Sequence, residues 1–153
     1  MSDGDQQLDL VQELGDYDGR PTLRVGVMES ARNIDTGEPV APYAAANEFG
    51  TSRIPARPFM RSTIDAKGSE WAEYLCKAIR ARVPLETALK LTGEKMKSDV
   101  KATIASNMAP ANAPSTIRRK LRQEDEGGGM MHAGTLIETG SLLRSIEAEV
   151  DPS

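Results

Sequence analysis

Residues 43–61 read YAAANEFGTSRIPARPFMR and contain the abrupt changes of backbone that set the layout of the chain. The first half of this stretch favours helix, and Gly50 can end that helix because glycine adopts positive φ without strain. Pro55 and Pro58 push the residues before them towards extended geometry, so residues 51–57 cannot form regular helix. Pro58 itself can open a new helix as its first residue. The stretch therefore predicts a short helix, a stiff link and the start of a second helix.

Two long amphipathic helices are predicted after this link. From residue 58 onward, apolar side chains recur mostly four residues apart, which is the repeat of one stripe on a helix. Pro84 interrupts the pattern, and the same spacing then continues to about residue 107. The sequence therefore predicts helices over 58–83 and 85–107. Their apolar stripes are Met60, Ile64, Trp71, Leu75, Ile79 and Val83 in the first helix, and Leu85, Leu89, Met96, Val100 and Ile104 in the second.

Short strands are predicted on either side of these helices. Residues 22–28 alternate apolar and polar side chains, and residues 146–150 do the same after a short helix predicted over 139–144. Side by side, the strands form a small antiparallel sheet packed against the two long amphipathic helices. This arrangement is a single α+β domain spanning residues 22–153. In it, residues 51–57 project as a loop or a hairpin arm.

The remaining segments are predicted to contain little regular structure. The acidic extension 1–21 is expected to be partly disordered, with either an edge strand or a short helix over 8–14. Residues 108–114 are predicted as a loop, and Ser115 is a suitable N-cap for a helical turn or two. The glycine-rich residues 124–134 are predicted as a further loop.

Charge is distributed in blocks along the chain, although the net charge is only −4. Counting Lys and Arg against Asp and Glu, residues 1–52 carry a net −7, residues 53–122 a net +9 and residues 123–153 a net −6. A solvated surface can show such blocks without any function. Alternatively, they indicate packing between oppositely charged parts of neighbouring subunits, or contact with a polyanion. Within the basic block, the residues best suited to contact phosphate groups are Arg118, Arg119, Lys120 and Arg122.

The sequence offers little material for catalysis or cofactor binding. His132 is the single histidine and lies in a glycine-rich segment, and Cys76 is the single cysteine. These counts exclude a multi-cysteine metal site, a pair of histidine ligands and an intramolecular disulfide. Phosphate-binding glycine loops, HExxH and CxxC spacings are missing as well. We therefore expect no enzyme, no metal site and no cofactor.

The apolar residues are also too dispersed for a membrane protein. No apolar run approaches the roughly 20 residues of a membrane helix. The first ten residues, MSDGDQQLDL, are acidic and polar where a signal peptide would be basic and then apolar. We expect a protein that does not span a membrane and is not secreted by that route.

Two motifs follow one another in a fixed order along the chain. The first consists of Tyr43, Ala44, Glu48, Phe49, Gly50, Thr51, Pro55, Ala56, Arg57, Pro58 and Phe59. The second consists of Leu136, Ile137, Glu138, Thr139, Gly140, Leu142, Ser145 and Ile146, and the stretch APSTIRRK over 113–120 lies between them. In this order they resemble the neck and tail-completion proteins of tailed bacteriophages, of the lambdoid tail-component and Mu-like virion-morphogenesis type. The resemblance covers about residues 22–150, and residues 1–21 have no counterpart in it.

The resemblance implies a structural virion protein that forms a six- or twelve-fold ring at the head–tail junction, as a neck or tail-terminator ring. Such a ring would contact a head-completion or connector protein on one face and a tail-tube or tail-terminator protein on the other. DNA would pass through its lumen, and no membrane is involved. The subunit would be made in the host cytoplasm and incorporated into the virion. We expect subunit or partner contacts at Glu48, Phe49, Gly50, Thr51, Arg53, Arg57, Phe59, Arg61, Glu138 and Thr139.

Two other functions remain open from the sequence. A DNA-binding or packaging accessory protein would use the basic segment 118–122, and its affinity would fall steeply with salt. An enzyme without a recognised motif would need His132 or a pair of carboxylates to be held rigidly. There is also an alternative to the projecting arm, in which Phe49 and Phe59 simply fill the core of the subunit.

Overall fold

The computed structural model of the chain describes residues 21–106 and 140–151. In chain order its elements are β1 (Thr22–Val27), α1 (Val40–Phe49), α2 (Phe59–Arg80), α3 (Leu85–Ala105), α4 (Ser141–Ser145) and β2 (Ile146–Asp151). The predicted α+β class, with a two-stranded antiparallel sheet and two long helices, is confirmed. The predictions for 1–20 and for the loops and helical turns between 108 and 134 lie outside the described residues.

The sheet joins the first and the last of these elements. β1 and β2 pair over their whole length, from Thr22 opposite Asp151 to Val27 opposite Ile146. Because side chains alternate along a strand, one face of the sheet is apolar and the other is polar. The apolar face, which packs on α3, consists of Leu23, Val25, Val27, Ile146, Ala148 and Val150, and the outer face of Thr22, Arg24, Gly26, Glu147, Glu149 and Asp151.

Helix α3 occupies the centre of the molecule, because it packs against both strands and also against α2. Gly93 allows the close approach to the sheet: a Cβ atom there would lie 2.9 Å from Leu23 Cδ1 and 3.0 Å from the Ala148 Cβ. The apolar stripe predicted for this helix faces inward. Leu85, Leu89, Val100 and Ile104 are buried, and Met96 is half-buried.

Helix α2 lies along α3 and is joined to it by side-chain hydrogen bonds. The Thr63 hydroxyl donates to Thr103 Oγ1 over 2.7 Å, and the Trp71 indole Nε1 donates to Asp99 Oδ2 over 2.7 Å. The predicted apolar stripe of α2 faces inward except at Ile64, since its other members are buried or half-buried. Trp71 is buried, but Ile64 is 48% exposed, and Phe59 and Thr63 are buried instead.

Several helix boundaries differ from the prediction by one to three residues, since α2 begins at Phe59 rather than at residue 58 and α3 ends at Ala105 rather than at about 107. Helix α2 ends at Arg80 rather than at residue 83, because Arg82 adopts a left-handed φ of 61°. The Val83 N–H then donates to the Ala78 carbonyl and the Arg82 N–H to the Ile79 carbonyl, which is a Schellman motif without glycine. Helix α1 begins at Val40, with Pro39 at its N-cap, two residues before the predicted start at Pro42.

The core joins both ends of the described chain. Val40 and Ala44 from α1, Phe59 from α2, Val100 and Ile104 from α3, Leu142 from α4 and Ile146 from β2 form one buried cluster. The predicted short helix over 139–144 is therefore present as α4, shifted to Ser141–Ser145, and it brings Leu142 into this core.

Candidate interaction surface

The start of α2 is capped by a side chain from another helix. Pro58 stands at the N-cap position and has no side-chain acceptor for the free N–H groups of the first turn. Glu48 of α1 supplies it: Oε2 accepts from the Met60 N–H at 2.9 Å, and Oε1 accepts from the Arg61 N–H at 3.1 Å. A carboxylate at this position also interacts favourably with the helix dipole. Glu48 is 7% exposed, and both of its carboxylate oxygens accept hydrogen bonds within the subunit.

Arg61 of α2 also contacts the end of α1. Its Nε donates to Glu48 Oε1 over 2.9 Å, and its Nη2 donates to the Glu48 carbonyl oxygen over 2.6 Å. The guanidinium carbon lies 5.1 Å from the ring centre of Phe49, within range of a cation–π interaction. Together Glu48 and Arg61 fix the end of one helix to the start of the next.

The segment between them, residues 50–57, is closed at its base, and we call it the 50–57 loop. Gly50 has φ 75° and ψ 167°, a region that only glycine adopts without strain. A Cβ at Gly50 would lie 2.9 Å from the backbone nitrogen of Ala56. One residue further on, the Arg57 N–H donates to the Asn47 carbonyl over 2.6 Å. The two ends of the loop are thus in direct contact.

The tip of the 50–57 loop has its own hydrogen bonds. Thr51 Oγ1 accepts from the N–H groups of Arg53 and Ile54 at 3.2 and 3.0 Å, and the Thr51 N–H donates to the Ile54 carbonyl over 2.8 Å. Of the two forms predicted for this segment, the loop is the one observed, because the hydrogen bonds close a tight turn instead of pairing two strands. The exposed residues of the loop are Thr51, Ser52, Arg53, Pro55 and Ala56.

The predicted contact residues fall into two groups by exposure, apart from Gly50, which is half-buried. Phe49 is 69% exposed, and Thr51, Arg53 and Arg61 are also exposed. By contrast, Glu48, Arg57 and Phe59 are 7%, 6% and 2% exposed, so they position the loop from within the subunit. The alternative in which both phenylalanines fill the core is correct for Phe59 and wrong for Phe49. The other predicted residues, Glu138, Thr139, Arg118, Arg119, Lys120 and Arg122, lie outside the described residues.

The two sequence motifs meet in the fold. Phe59 of the first motif packs in the same buried cluster as Leu142 and Ile146 of the second. Gly140 has φ 71° and lies at the N-cap of α4, and the buried Ser145 hydroxyl donates to the Leu142 carbonyl over 2.6 Å. Most of the motif residues that the structure describes therefore lie either in and beside the 50–57 loop or in the buried core.

The outer face of the sheet is a second exposed surface, and the sequence analysis did not identify it as a site. It carries three carboxylates, those of Glu147, Glu149 and Asp151, and one guanidinium, that of Arg24. The Arg24 Nη2 lies 3.8 Å from Asp151 Oδ2. From α3, the Lys97 Nζ lies 3.0 Å from Glu94 and 3.1 Å from Glu147, and these two carboxylates raise the pKa of Lys97 above its ordinary value. The signal in the sequence was the alternation IEAEVD, which gives an acidic face once the apolar face is buried.

The described residues provide no sign of a metal site or of a membrane span. No group of three or more His, Cys, Asp and Glu side chains within 21–106 and 140–151 is placed to hold a metal ion. In the same part of the chain, the helices are too short or too polar to cross a bilayer. Comparisons with protein-family models, with curated proteins and with solved structures gave no match for this chain.

Proposed function

We propose that this chain is a structural subunit of a tailed-bacteriophage particle. In particular, we propose that it forms a ring at the head–tail junction, as a neck or tail-terminator protein joining the capsid connector to the tail. The observation that carries the proposal is the 50–57 loop, in which buried motif residues hold the exposed Arg53 side chain, which makes no hydrogen bond or ion pair among the described residues. The resemblance of the motifs to neck and tail-completion proteins supports the same assignment.

A locked loop of this kind is suited to binding a neighbour. Ordering a flexible segment on association costs about 0.5–1.5 kcal/mol for each immobilised side chain that is rich in rotamers. In the 50–57 loop, Gly50, Thr51 and Arg57 already fix the backbone through contacts within the subunit. The loop therefore loses less conformational entropy than a free arm would when it contacts another subunit.

The exposed aromatic residue beside the loop supports an interface at the same place. Phe49 is 69% exposed, and aromatic residues are enriched at protein interfaces. Ile64, which is 48% exposed, lies one helical turn beyond Arg61 on α2. The candidate surface therefore includes the 50–57 loop, Phe49 and Ile64, and it extends over the start of α2.

In the proposed ring, one face contacts a head-completion or connector protein and the other face contacts a tail-tube or tail-terminator protein. DNA passes through the lumen, and the assembled subunit resides in the virion. Contacts between different patches on neighbouring subunits are heterologous, and such contacts close into rings when the rotation between subunits allows it. The charge blocks in the sequence favour contacts of this type.

Light scattering after size exclusion, at low and at high salt, tests the proposal with the full-length protein. We expect a closed ring at low salt that negative-stain imaging resolves, and partial dissociation at high salt. A monomer under both conditions would contradict a self-assembling ring, and binding of duplex DNA by that monomer would favour the accessory-protein function.

The role of the loop is tested by changing its exposed residues. Replacing Thr51 and Arg53 together by alanine should weaken the ring, whereas Arg80→Ala changes an exposed arginine of α2 and serves as the control. If the ring and virion assembly are the same in both variants, the loop is not an assembly contact.

A further inference from the structure

We infer that the 50–57 loop of one subunit binds the outer face of the β1–β2 sheet of the next subunit, with Arg53 opposite Glu149. This inference rests on the proposed ring and names the surface on which its loop docks. It depends on two features of the described residues, namely a free positive charge on a rigid loop and a free negative charge on an uncovered sheet face.

The docking element carries a single exposed charge. Arg53 and Arg57 are the two charged residues of the loop, and Arg57 is 6% exposed. The exposed guanidinium of Arg53 has no hydrogen bond or ion pair within the described part of the chain. Its neighbours Pro55 and Ala56 are exposed and uncharged, so covering them desolvates no charge. The loop thus combines one cation with a small apolar surface.

The acceptor is the sheet face opposite to α3. Asp151 lies near Arg24, and Glu147 lies near Lys97. Glu149 is directly opposite Arg24 in the strand register, but it makes no hydrogen bond or ion pair among the described residues. Glu149 is therefore the carboxylate of this face that is available to a further cation.

The shape of the acceptor face also suits a loop. Gly26 lies opposite Glu147 and diagonal to Glu149 on this face, and a Cβ atom placed on Gly26 would meet nothing within 4 Å. A glycine within a strand often marks a place where another backbone approaches closely. The compact Pro55–Ala56 part of the loop can approach the sheet at this gap while Arg53 reaches the carboxylate.

The chemistry of the pair favours specificity. A guanidinium can form two parallel hydrogen bonds to one carboxylate, which fixes the orientation of the two groups as well as their distance. The loop and the sheet face are different patches of the same subunit, so each subunit can donate a loop to one neighbour and accept a loop from the other. The contact is therefore repeatable around a ring.

A charge exchange tests the inference in the full-length protein. Arg53→Glu and Glu149→Arg should each raise the dissociation constant between subunits about tenfold or more at low salt, because each places like charges together. The double variant should restore assembly. Arg80→Glu makes the same change of net charge at another exposed site and should leave the dissociation constant near that of the wild type.

The outcomes separate this inference from the proposed function. If the wild type forms a ring but the single variants assemble normally, or the double variant fails to recover, the loop does not dock at Glu149 although the ring stands. If the wild type is monomeric, the ring itself fails, and the inference fails with it. Circular dichroism should show the same fold for all variants, because both side chains are exposed.

Disulfide trapping gives a second, independent readout. Cys76 is the single cysteine, so a Cys76→Ser background leaves Arg53→Cys and Glu149→Cys as the only thiols. Under oxidising conditions, we expect a ladder of cross-linked species that ends at the number of subunits in the ring. Cross-linked dimers alone, or monomers alone from an assembled ring, would overturn the heterologous contact.

Discussion

Glu48 illustrates how a single residue can connect sequence, local structure and surface. The first turn of a helix usually takes its cap from a Ser, Thr, Asp or Asn directly before it, but here that position is Pro58. The carboxylate comes instead from the preceding helix and binds two backbone N–H groups and Arg61. The cap of α2 therefore also links the two helices that flank the 50–57 loop.

Removing this carboxylate should destabilise the subunit. Glu48→Ala is expected to lower the free energy of unfolding by about 2 kcal/mol, because it leaves the part-buried N–H groups of Met60 and Arg61, and the Arg61 Nε, without their acceptor. Glu48→Gln keeps one acceptor oxygen and should cost about half as much. Urea denaturation followed by Trp71 fluorescence measures both, with the exposed Glu29→Gln as the control, which should change stability by less than about 0.5 kcal/mol. Equal stability of Glu48→Ala and the control would contradict the capping role.

Gly50 offers a second prediction at the scale of one residue. Gly50→Ala should destabilise by about 1–3 kcal/mol, because its backbone lies in a region reserved for glycine and the new Cβ would meet Ala56. Gly37 also has a positive φ, of 72°, but a Cβ there would meet nothing within 4 Å. Gly37→Ala should therefore cost less. If the two variants lose equal stability in urea denaturation, the close contact with Ala56 does not matter.

Some of these residue roles could be predicted from the sequence and others could not. Gly50 as a helix end follows from local backbone preferences and is present, whereas Pro58, predicted as the first residue of α2, lies one position earlier, at the N-cap. Glu48 was assigned to an interface, since nothing in the sequence says that a carboxylate in one helix will reach the N-terminus of the next. Capping across elements depends on tertiary packing, which local patterns do not contain.

At the scale of elements, α3 determines the arrangement because it contacts the sheet on one side and α2 on another. Its amphipathic pattern was sufficient to predict its inward face. The pattern of α2 predicted its inward face except at Ile64, but it did not show that Thr63 would be buried in a hydrogen bond to Thr103 of α3. The sequence also predicts the end of α2 too late. Its Schellman motif has Arg82 at the position that glycine usually occupies, so the sequence carries no signal that the helix ends there.

The contact between α3 and the sheet can be tested through a pair of glycines. Gly93→Ala should destabilise by about 1–3 kcal/mol, because the added methyl group would lie too close to Leu23 and Ala148. Gly68 of α2 has open space around it, so Gly68→Ala should stabilise by about 0.5–1 kcal/mol through its better helix propensity. Thermal unfolding of the two variants should shift in opposite directions. A stabilising Gly93→Ala would mean that α3 and the sheet are not closely packed.

The same helices carry an ion pair that predicts a dependence on pH. Lys95 lies 2.9 Å from Glu70, and hydrogen bonds from Lys95 and Lys67 hold the pKa of Glu70 below its ordinary value of 4.5. A lowered pKa in the folded state stabilises the fold above pH 4.5 and loses that contribution as the pH falls through the folded value. Conversely, the hydrogen bond from Glu70 raises the pKa of Lys95 above 10.5, so its contribution is lost only as the pH rises beyond that value.

Glu70→Gln should therefore reduce stability at neutral pH and flatten the loss of stability below pH 4.5. Urea denaturation between pH 3 and pH 7 measures the effect, compared with Lys95→Gln and with the double variant. Adding Glu70→Gln to Lys95→Gln should have a smaller effect than it has in the wild type, because part of the interaction is already gone. Fully additive effects would show that the pair does not couple the two helices.

At the scale of the whole molecule, we expect different interactions to hold the ring together and to stabilise the folded subunit. The subunit core is apolar, whereas the contact between Arg53 and Glu149 that we propose for assembly is charged, and salt screens exposed charges strongly. Raising the salt concentration should therefore dissociate the ring while leaving the urea midpoint of the subunit nearly unchanged. Light scattering and Trp71 fluorescence on the same samples measure the two effects. A ring that persists at high salt would indicate an apolar interface instead.

The α+β class and the order of its elements could be predicted because helix and strand periods are local properties of the sequence. The alternation IEAEVD also places Glu147 and Glu149 on one exposed strand face, whereas their positions opposite Gly26 and Arg24 depend on the register of β1 and β2. The exposure of Phe49 next to the burial of Phe59 likewise depends on tertiary contacts, because one chain segment turns between them. Local patterns thus give the elements, and tertiary contacts decide which side chains remain on the surface.

The pairing of β1 with β2 also has a consequence for biosynthesis. Val27 and Ile146 are neighbours in the sheet although they lie roughly 120 positions apart, whereas α2 and α3 are adjacent in the chain and can associate early. While the ribosome is still making the chain, Leu23, Val25 and Val27 therefore have no partner strand. The acidic sheet face is completed only when β2 emerges. An unfinished chain lacks this surface, so in our proposal only finished subunits can join the growing ring.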